Sequence, residues 1–347
     1  MAEQSGLKNW VLVCQGGGGK GAWEAGFIHE VVNGFGLDFK TCIGTSVGAL
    51  NCALYLQSCT SHLWKDILLE SWSKMSSCEI LGLPSLKGVG RFGLSGGSKL
   101  HDLVVQKIRK SDMESVCTSQ SKYLVILATN CDNWRTWVWH PFLFGPHTAT
   151  KASRDSFSNL HAALIASASI PIIYPYIQQD MMTLYDGGLV ENNPLNYAEV
   201  GCSNVLVLSP NQAENGDNLC KRIYKYFNPL HFLENQVLRR VLDVKRDISY
   251  RRAQSAEMCG VIPVTKYYFA RPSERLPSGT LFFSEKSSKE SFELGQKDGK
   301  DFMRALLSNS ANLASKYDLE ILNFALPSKN IFEWFFSKVL KVRTISG

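Results

Sequence analysis

An α/β fold on a mostly parallel sheet is what the sequence predicts, and three observations predict it. Apolar runs recur without polar alternation: WVLVC from Trp10, YLVILAT from Tyr123 and NVLVLS from Asn204. Strands buried on both faces read this way. Segments with helical spacing alternate with these runs, as layered α/β proteins require. The third observation is Phe39 to Asn51, FKTCIGTSVGALN, which reads as a short strand, a sharp turn and a helix.

The strand at Trp10 runs into Gln15 and then Gly16, Gly17, Gly18, Gly19, Lys20 and Gly21. A helix follows, with Ala22, Ala25, Ile28, His29 and Val32 expected on one side. Four consecutive glycines between strand and helix expose backbone N–H groups and suit an anion. A P-loop is excluded, because Lys20 is followed by Gly21 instead of Ser or Thr and the spacing is too short. Gly16, Gly18 and Gly21 match the dinucleotide fingerprint, with Asp38 near the distance of a ribose-binding acid, although Asp38 precedes the second strand instead of ending it. An oxyanion hole is another reading, and a plain glycine-rich turn a third. The next strand delivers a serine, which favours the oxyanion hole.

That serine is Ser46, in the G-x-S-x-G pattern Gly44 to Gly48. A nucleophile elbow holds a serine on a strained strand-to-helix turn with its hydroxyl presented. It also stands at a helix N-terminus, where backbone N–H groups and the dipole favour negative charge. The pattern recurs at Gly93 to Gly97, but no apolar strand precedes that copy. Its surroundings, KGVGRFGLSGGSKL, read as a loop ending at a helix N-cap at Ser98.

Further helices are expected after Ser46 through Leu50, Ala53, Leu54 and Leu56, over about His62 to Lys74, and through Leu100, Leu103, Val104 and Ile108. Trp134 to Trp139, WRTWVW, alternates and reads as a strand pairing with Tyr123–Thr129 or nearby; its tryptophans bind lipid or cover the sheet. Leu160 to Ile173 reads as a helix broken at Pro171. A short strand, Thr183 to Tyr185, leads into Asp186, Gly187 and Gly188, which hold an acid in a fixed turn at a strand end. Asn204 to Ser209 closes the strand series.

Residues 219–252 interleave Lys and Arg with apolar residues at near-helical spacing. This is either a basic face for anionic lipid or a core-packed helix with a solvated face. The tail after Pro327, SKNIFEWFFSKVLKVRTISG, is too short and charged to span a bilayer; it docks at an interface or packs back on the domain.

At 347 residues and 45% apolar composition, the chain can bury one large core or two ordinary ones. A net charge of +6 suits an anionic partner such as a membrane surface. No nucleic-acid partner is expected, because the aromatic pattern of an RNA-binding sheet is missing. The ten cysteines form no C-x-x-C pair and imply a reducing compartment. With no signal-peptide pattern at the N-terminus and no transmembrane run, a cytoplasmic location is expected, with peripheral membrane association.

Three motifs in this order give the chain its resemblance to the patatin-like phospholipases: the glycine-rich stretch Gly16–Gly21, G-x-S-x-G at Gly44–Gly48, and D-G-G at Asp186–Gly188. ASASIP, ending at Pro171, and the NNP after the acid support it. The resemblance covers roughly 10–210 well and 260–307 weakly. It implies a three-layer α/β/α sandwich with a mostly parallel central sheet. The expected division is a catalytic core over 8–210, its C-terminal continuation with the basic segment over 211–310, and an amphipathic tail over 311–347.

The resemblance further implies a Ser–Asp dyad without histidine: Ser46 as nucleophile, Asp186 as base, and the Gly17 and Gly18 N–H groups as oxyanion hole. Gly16, Gly19, Lys20, Gly21, Gly44, Gly48, Gly187 and Gly188 carry the motifs; Lys20 receives no chemical role. No metal or cofactor is implied. A solvated Asp, pKa about 3.9, is a poor base for a hydroxyl, so Asp186 is expected to be desolvated beside an acyl-chain pocket. The implied reaction is acyl hydrolysis of phospholipids or related lipid esters. Alternatives are a Ser46, Asp186, His231 triad, a lipid-binding or regulatory protein of the same fold without turnover, and, more distantly, a nucleotide-binding protein.

Overall fold

The computed structural model describes residues 7–61, 66–81, 97–119, 122–140, 157, 159–171, 173–179, 181–198, 204–210 and 266–308. The second G-x-S-x-G copy before Gly97, the basic stretch 219–252 with His231, and the tail from 328 onward lie outside these residues.

Strand β1 (Trp10–Cys14) is buried along its whole length. It pairs in parallel with β2 (Phe39–Thr45) on one side and β7 (Asn204–Leu208) on the other. Two more strands, β3 (Tyr123–Asn130) beside β2 and β8 (Lys266–Ala270) beside β7, continue the parallel set. β4 (Arg135–Trp139) and β6 (Met182–Asp186) run antiparallel to β3, and β5 (Ile177–Gln179) pairs with β6. Among the described residues the sheet has eight strands in the order β5-β6-β3-β2-β1-β7-β8, with β4 also on β3. The expected mostly parallel sheet is therefore present. Asn204–Leu208 does not close the strand series, because β8 adds beyond it.

Side chains alternate between two apolar layers. Leu12, Cys14, Cys42, Leu124, Ile126, Leu206 and Leu208 face the larger core beneath the main helices. Val11, Val13, Ile43, Val125, Val205 and Val207 face the other layer, under Leu195 and Ala198, which belong to and follow the 3₁₀ turn Pro194–Tyr197. Helical segments thus flank both faces of a mixed, mostly parallel sheet.

Helix α1 (Gly21–His29) has no single core side: every residue from Gly21 to Ile28 is buried. The one-sided pattern expected for it fails because a long C-terminal helix, numbered α8 below, crosses its outer surface. Helix α2 (Val47–Ser58) follows the elbow. The helix expected over about His62 to Lys74 is described only as α3 (Ile67–Trp72), followed by α4 (Ser77–Leu81). α5 (Ser98–Lys107) starts from Gly97, whose φ of +73° makes it the N-cap in place of Ser98. A separate α6 (Lys110–Ser119) was not anticipated; extended backbone at Ile108 divides the two.

α7 (Leu160–Ser167) ends four residues before Pro171. Its last residue turns inward instead, with Ser167 Oγ donating to Leu127 O at 2.5 Å. Asp186 N donates to Ser169 O at 2.9 Å, so the chain leaves the helix to hold β6. α8 (Glu285–Leu307) opens with a Ser284–Ser287 capping box and buries Phe292, Gly295, Asp298, Gly299, Phe302 and Met303. That spacing of three and four marks one helix face. Asp298 receives Trp23 Nε1 at 2.8 Å, a buried polar link between α8 and α1.

Candidate active site

β2 ends at Thr45, and the chain turns into α2 through Ser46. Ser46 has φ 55° and ψ −129°, a conformation L-residues seldom adopt and which costs about 1–3 kcal/mol. The neighbouring glycines permit the turn. A Cβ at Gly44 would lie 2.4 Å from Ala49 N, and one at Gly48 would lie 2.6 Å from Cys14 O. The elbow is thereby pressed against the end of β1, where the glycine loop begins.

Asp186 reaches Ser46 through strand register. Thr45 pairs with Leu127, and Asp186 pairs with the next residue, Ala128. β4 occupies the opposite edge of β3 at both levels. A strand has two edges, so β6 must lie on the edge that β2 vacates, and it meets the elbow end on. Ser46 Oγ donates to Asp186 Oδ2 at 2.6 Å. The other carboxylate oxygen, Oδ1, accepts Gly188 N at 2.7 Å. Thr129 Oγ1 donates to Asp186 O at 2.9 Å and fixes the strand end.

Both residues are buried, each 6% exposed. Burial pushes the Asp186 carboxyl up from 3.8 to about 6, against the lowering effect of the Ser46 and Gly188 hydrogen bonds. The desolvation expected of Asp186 is therefore present. Among the described residues no histidine hydrogen-bonds to Ser46 Oγ or to the Asp186 carboxylate.

The glycine loop lies against Ser46. A Cβ at Gly16 would fall 3.0 Å from Ser46 Cβ, and one at Gly21 would fall 2.4 Å from Val47 Cγ2. Gly18 adopts φ +57°, and Gly19 N donates to Thr280 O at 3.0 Å. Lys20 closes the short 3₁₀ turn Gly18–Lys20 that feeds α1. Among the described residues the Gly17 and Gly18 N–H groups have no acceptor.

Three supports escaped the sequence reading. Ser167 Oγ accepts Ser46 N at 2.9 Å, which pins the nucleophile candidate's backbone to α7. Asn192 Oδ1 accepts Gly16 N at 3.1 Å, so the loop after Asp186 fixes the start of the glycine loop. Asn51 donates to Gly21 O at 2.9 Å and accepts Trp72 Nε1 at 2.9 Å. Beside it lies fully buried Glu24, whose carboxyl burial pushes well above the usual range. The ASAS and NNP stretches were the visible signals for Ser167 and Asn192; nothing in sequence marks Asn51.

From Ser46 a cavity runs between the helices, lined chiefly by apolar side chains such as Leu50, Leu54, Trp72, Leu100, Val104 and Phe283. Gly18, Gly19 and Ser46 stand in its wall. An apolar substituent in this cavity would lie beside a hydroxyl, a base and unpaired N–H donors. Among the described residues no cluster of three or more His, Cys, Asp or Glu side chains is arranged to hold a metal.

A model of the family described as Patatin-like phospholipase matches residues 12–199, more than half of the chain. Eleven chains of solved structure also match. One is the crystal structure of VipD from Legionella pneumophila, 11% identical, covering 86% of this chain and 67% of that one, with a TM-score of 0.38. A search of the curated proteins finds no match.

Proposed function

Since the chain belongs to the patatin-like phospholipase family, we propose that it hydrolyses fatty acyl esters of phospholipids with Ser46 as nucleophile and Asp186 as the only base. The observation that carries this reading is the 2.6 Å Ser46–Asp186 hydrogen bond in the wall of an apolar cavity. The acyl chain lies in the cavity with its ester carbonyl at Ser46. Oγ attacks the carbonyl carbon while its proton passes to Asp186 Oδ2. Negative charge on the carbonyl oxygen meets the Gly17 and Gly18 N–H groups. The tetrahedral centre collapses, the alcohol leaves with the proton from Asp186, and an acyl-Ser46 ester remains. Water then attacks, Asp186 takes its proton, and the second collapse returns that proton to Ser46 Oγ as the fatty acid departs.

On this reading the residues 8–210 form the catalytic core, 211–310 its continuation and 311–347 an amphipathic tail. The chain then works peripherally on a membrane surface. Fatty-acid release from mixed phospholipid vesicles tests the proposal. Wild type should release fatty acid, and Ser46→Ala should release about 10³-fold less or below detection with an unchanged circular-dichroism spectrum. Equal release by the variant would remove Ser46 from the chemistry.

The pH dependence is a second expectation. Asp186 acts as base only when ionised, and its carboxyl sits at about 6. kcat/KM should therefore rise through a midpoint near pH 6 and level off above it. A midpoint near 4, as for a solvated carboxylate, would contradict the assignment.

Among the described residues no helix is long and apolar enough to cross a membrane.

A further inference from the structure

Strands β1, β2, β3 and β8 run parallel and end at one edge of the sheet. Ser46 stands at that edge, directly after β2. Among the described residues the three most exposed large apolar side chains are Met181 at 93%, Phe282 at 81% and Trp134 at 66%. All three stand on connections at this edge. Trp134 closes the turn from β3 to β4, and Met181 closes the turn from β5 to β6. The two turns are joined by Cys131 N to Thr183 O at 2.9 Å and Thr183 N to Asp132 Oδ2 at 2.9 Å. Because β6 runs towards Ser46 and ends at Asp186, Met181 stands five residues before Asp186, roughly 15 Å farther out along the strand direction at strand rise.

Phe282 approaches from the other flank. Its neighbours Leu281 and Phe283 line the cavity, and Phe283 also packs on Gly19. Phe282 therefore projects from the wall that its neighbours close. Leu189 and Val190, just after Asp186 and its glycines, are exposed as well.

Resting on the lipid-hydrolase reading above, we propose that this edge is the face that docks on a lipid surface, with Trp134, Met181 and Phe282 entering it. Apolar side chains this exposed, on connections at one end of the sheet, mark an interaction surface. Phe282 stands between two residues of the cavity wall, Leu281 and Phe283, and that adjoining apolar cavity selects the partner. An acyl chain leaves a lipid layer for the cavity without crossing water only if this edge faces the layer. A tryptophan at the tip suits the headgroup region, where its ring is part buried and its N–H solvated. Trp134 is flanked by one nearby charge of each sign, Asp132 and Arg135. The contact is thus apolar insertion and resists salt, unlike an electrostatic one.

The test combines Trp134→Asn, Met181→Asn and Phe282→Ser. Asn tolerates the positive φ of positions 134 and 181, 53° and 64°. Binding is measured in a Ser46→Ala background by co-sedimentation with phosphatidylcholine–phosphatidylglycerol vesicles in high salt, so it does not depend on turnover. The Ser46→Ala parent should sediment, and the triple substitution should weaken its affinity about tenfold or more. In the otherwise wild-type chain, vesicle phospholipid hydrolysis should fall by a similar factor while hydrolysis of a water-soluble p-nitrophenyl ester is unchanged. Equal sedimentation with and without the triple substitution, or no sedimentation of the parent in high salt, would overturn the proposal. So would equal loss on the soluble ester, or a dimer that the substitutions dissociate, which would assign the edge to a second copy. If the wild type hydrolyses neither ester, the hydrolase reading fails, and sedimentation still decides the docking face.

Discussion

Replacing Asp186 by Asn should abolish lipid hydrolysis and make the protein more stable. Among the described residues the carboxylate is the only group bonded to Ser46 Oγ, so without it no base takes the proton. Loss of about 10³-fold or more in kcat is expected. The gain in stability follows from burial. Asp186 ionises at about 6 when folded, against an ordinary value of 3.8. The folded state therefore binds this proton more tightly than the unfolded state does. Below the unfolded value both states are protonated and the site carries no penalty; as pH rises through about 6, the folded state must hold a buried carboxylate. At 1.36 kcal/mol per pH unit, the penalty at neutral pH is up to about 3 kcal/mol. An Asn amide removes the charge, donates to Ser46 Oγ and still accepts Gly188 N. Thermal unfolding at pH 8 should show Asp186→Asn melting above wild type, and the difference should vanish near pH 3. A variant less stable than wild type at pH 8 would contradict the desolvated carboxylate.

The second large effect concerns the clasp between α1 and α8. A Cβ at Gly295 would lie 2.1 Å from Trp23 O, and one at Gly26 would lie 2.0 Å from Phe292 O. Each glycine faces the other helix's backbone, which cannot swing aside as a side chain can. The two helices must separate to admit one methyl, and Trp23, Phe27, Phe292 and Phe302, all buried at the crossing, would lose their packing. Gly295→Ala should cost about 3 kcal/mol, lowering Tm by roughly 6–12 °C. Gly34→Ala is the control, because its methyl would meet only the movable Glu30 carboxylate and helix propensity favours Ala. It should leave Tm within about 2 °C. Because α1 begins at Gly21, at the end of the glycine loop, loosening the clasp should also reduce activity.

The parallel strands were legible because burial on both faces leaves no alternation of polar and apolar positions in WVLVC or YLVILAT. The elbow was legible because Gly44 and Gly48 bracket Ser46 where no Cβ fits. Asp186 was recognisable from its glycines, but its approach to Ser46 depends on β6 taking the β3 edge that β2 leaves. That is a long-range register, invisible in the local pattern. α1 misled for a similar reason: its outer surface is apolar because α8, some 260 residues later, covers it. Pro171 was an obvious helix breaker, yet the helix ended earlier, because tertiary hydrogen bonds from Ser167 outweigh one more turn. The NNP stretch drew attention to Asn192, but its bond to Gly16 N was not legible, since an Asn beside a turn ordinarily bonds to its own loop.

The most direct test of the central claim is labelling with a fluorophosphonate, followed by peptide mass spectrometry to locate the adduct. Such a reagent captures a serine only where a base and an oxyanion site are already assembled. The dyad predicts one adduct on Ser46, absent from Ser46→Ala, strongly reduced in Asp186→Asn and unaffected by His231→Ala. An adduct on another serine, or labelling of Ser46 that is lost with His231 and kept without Asp186, would contradict the account.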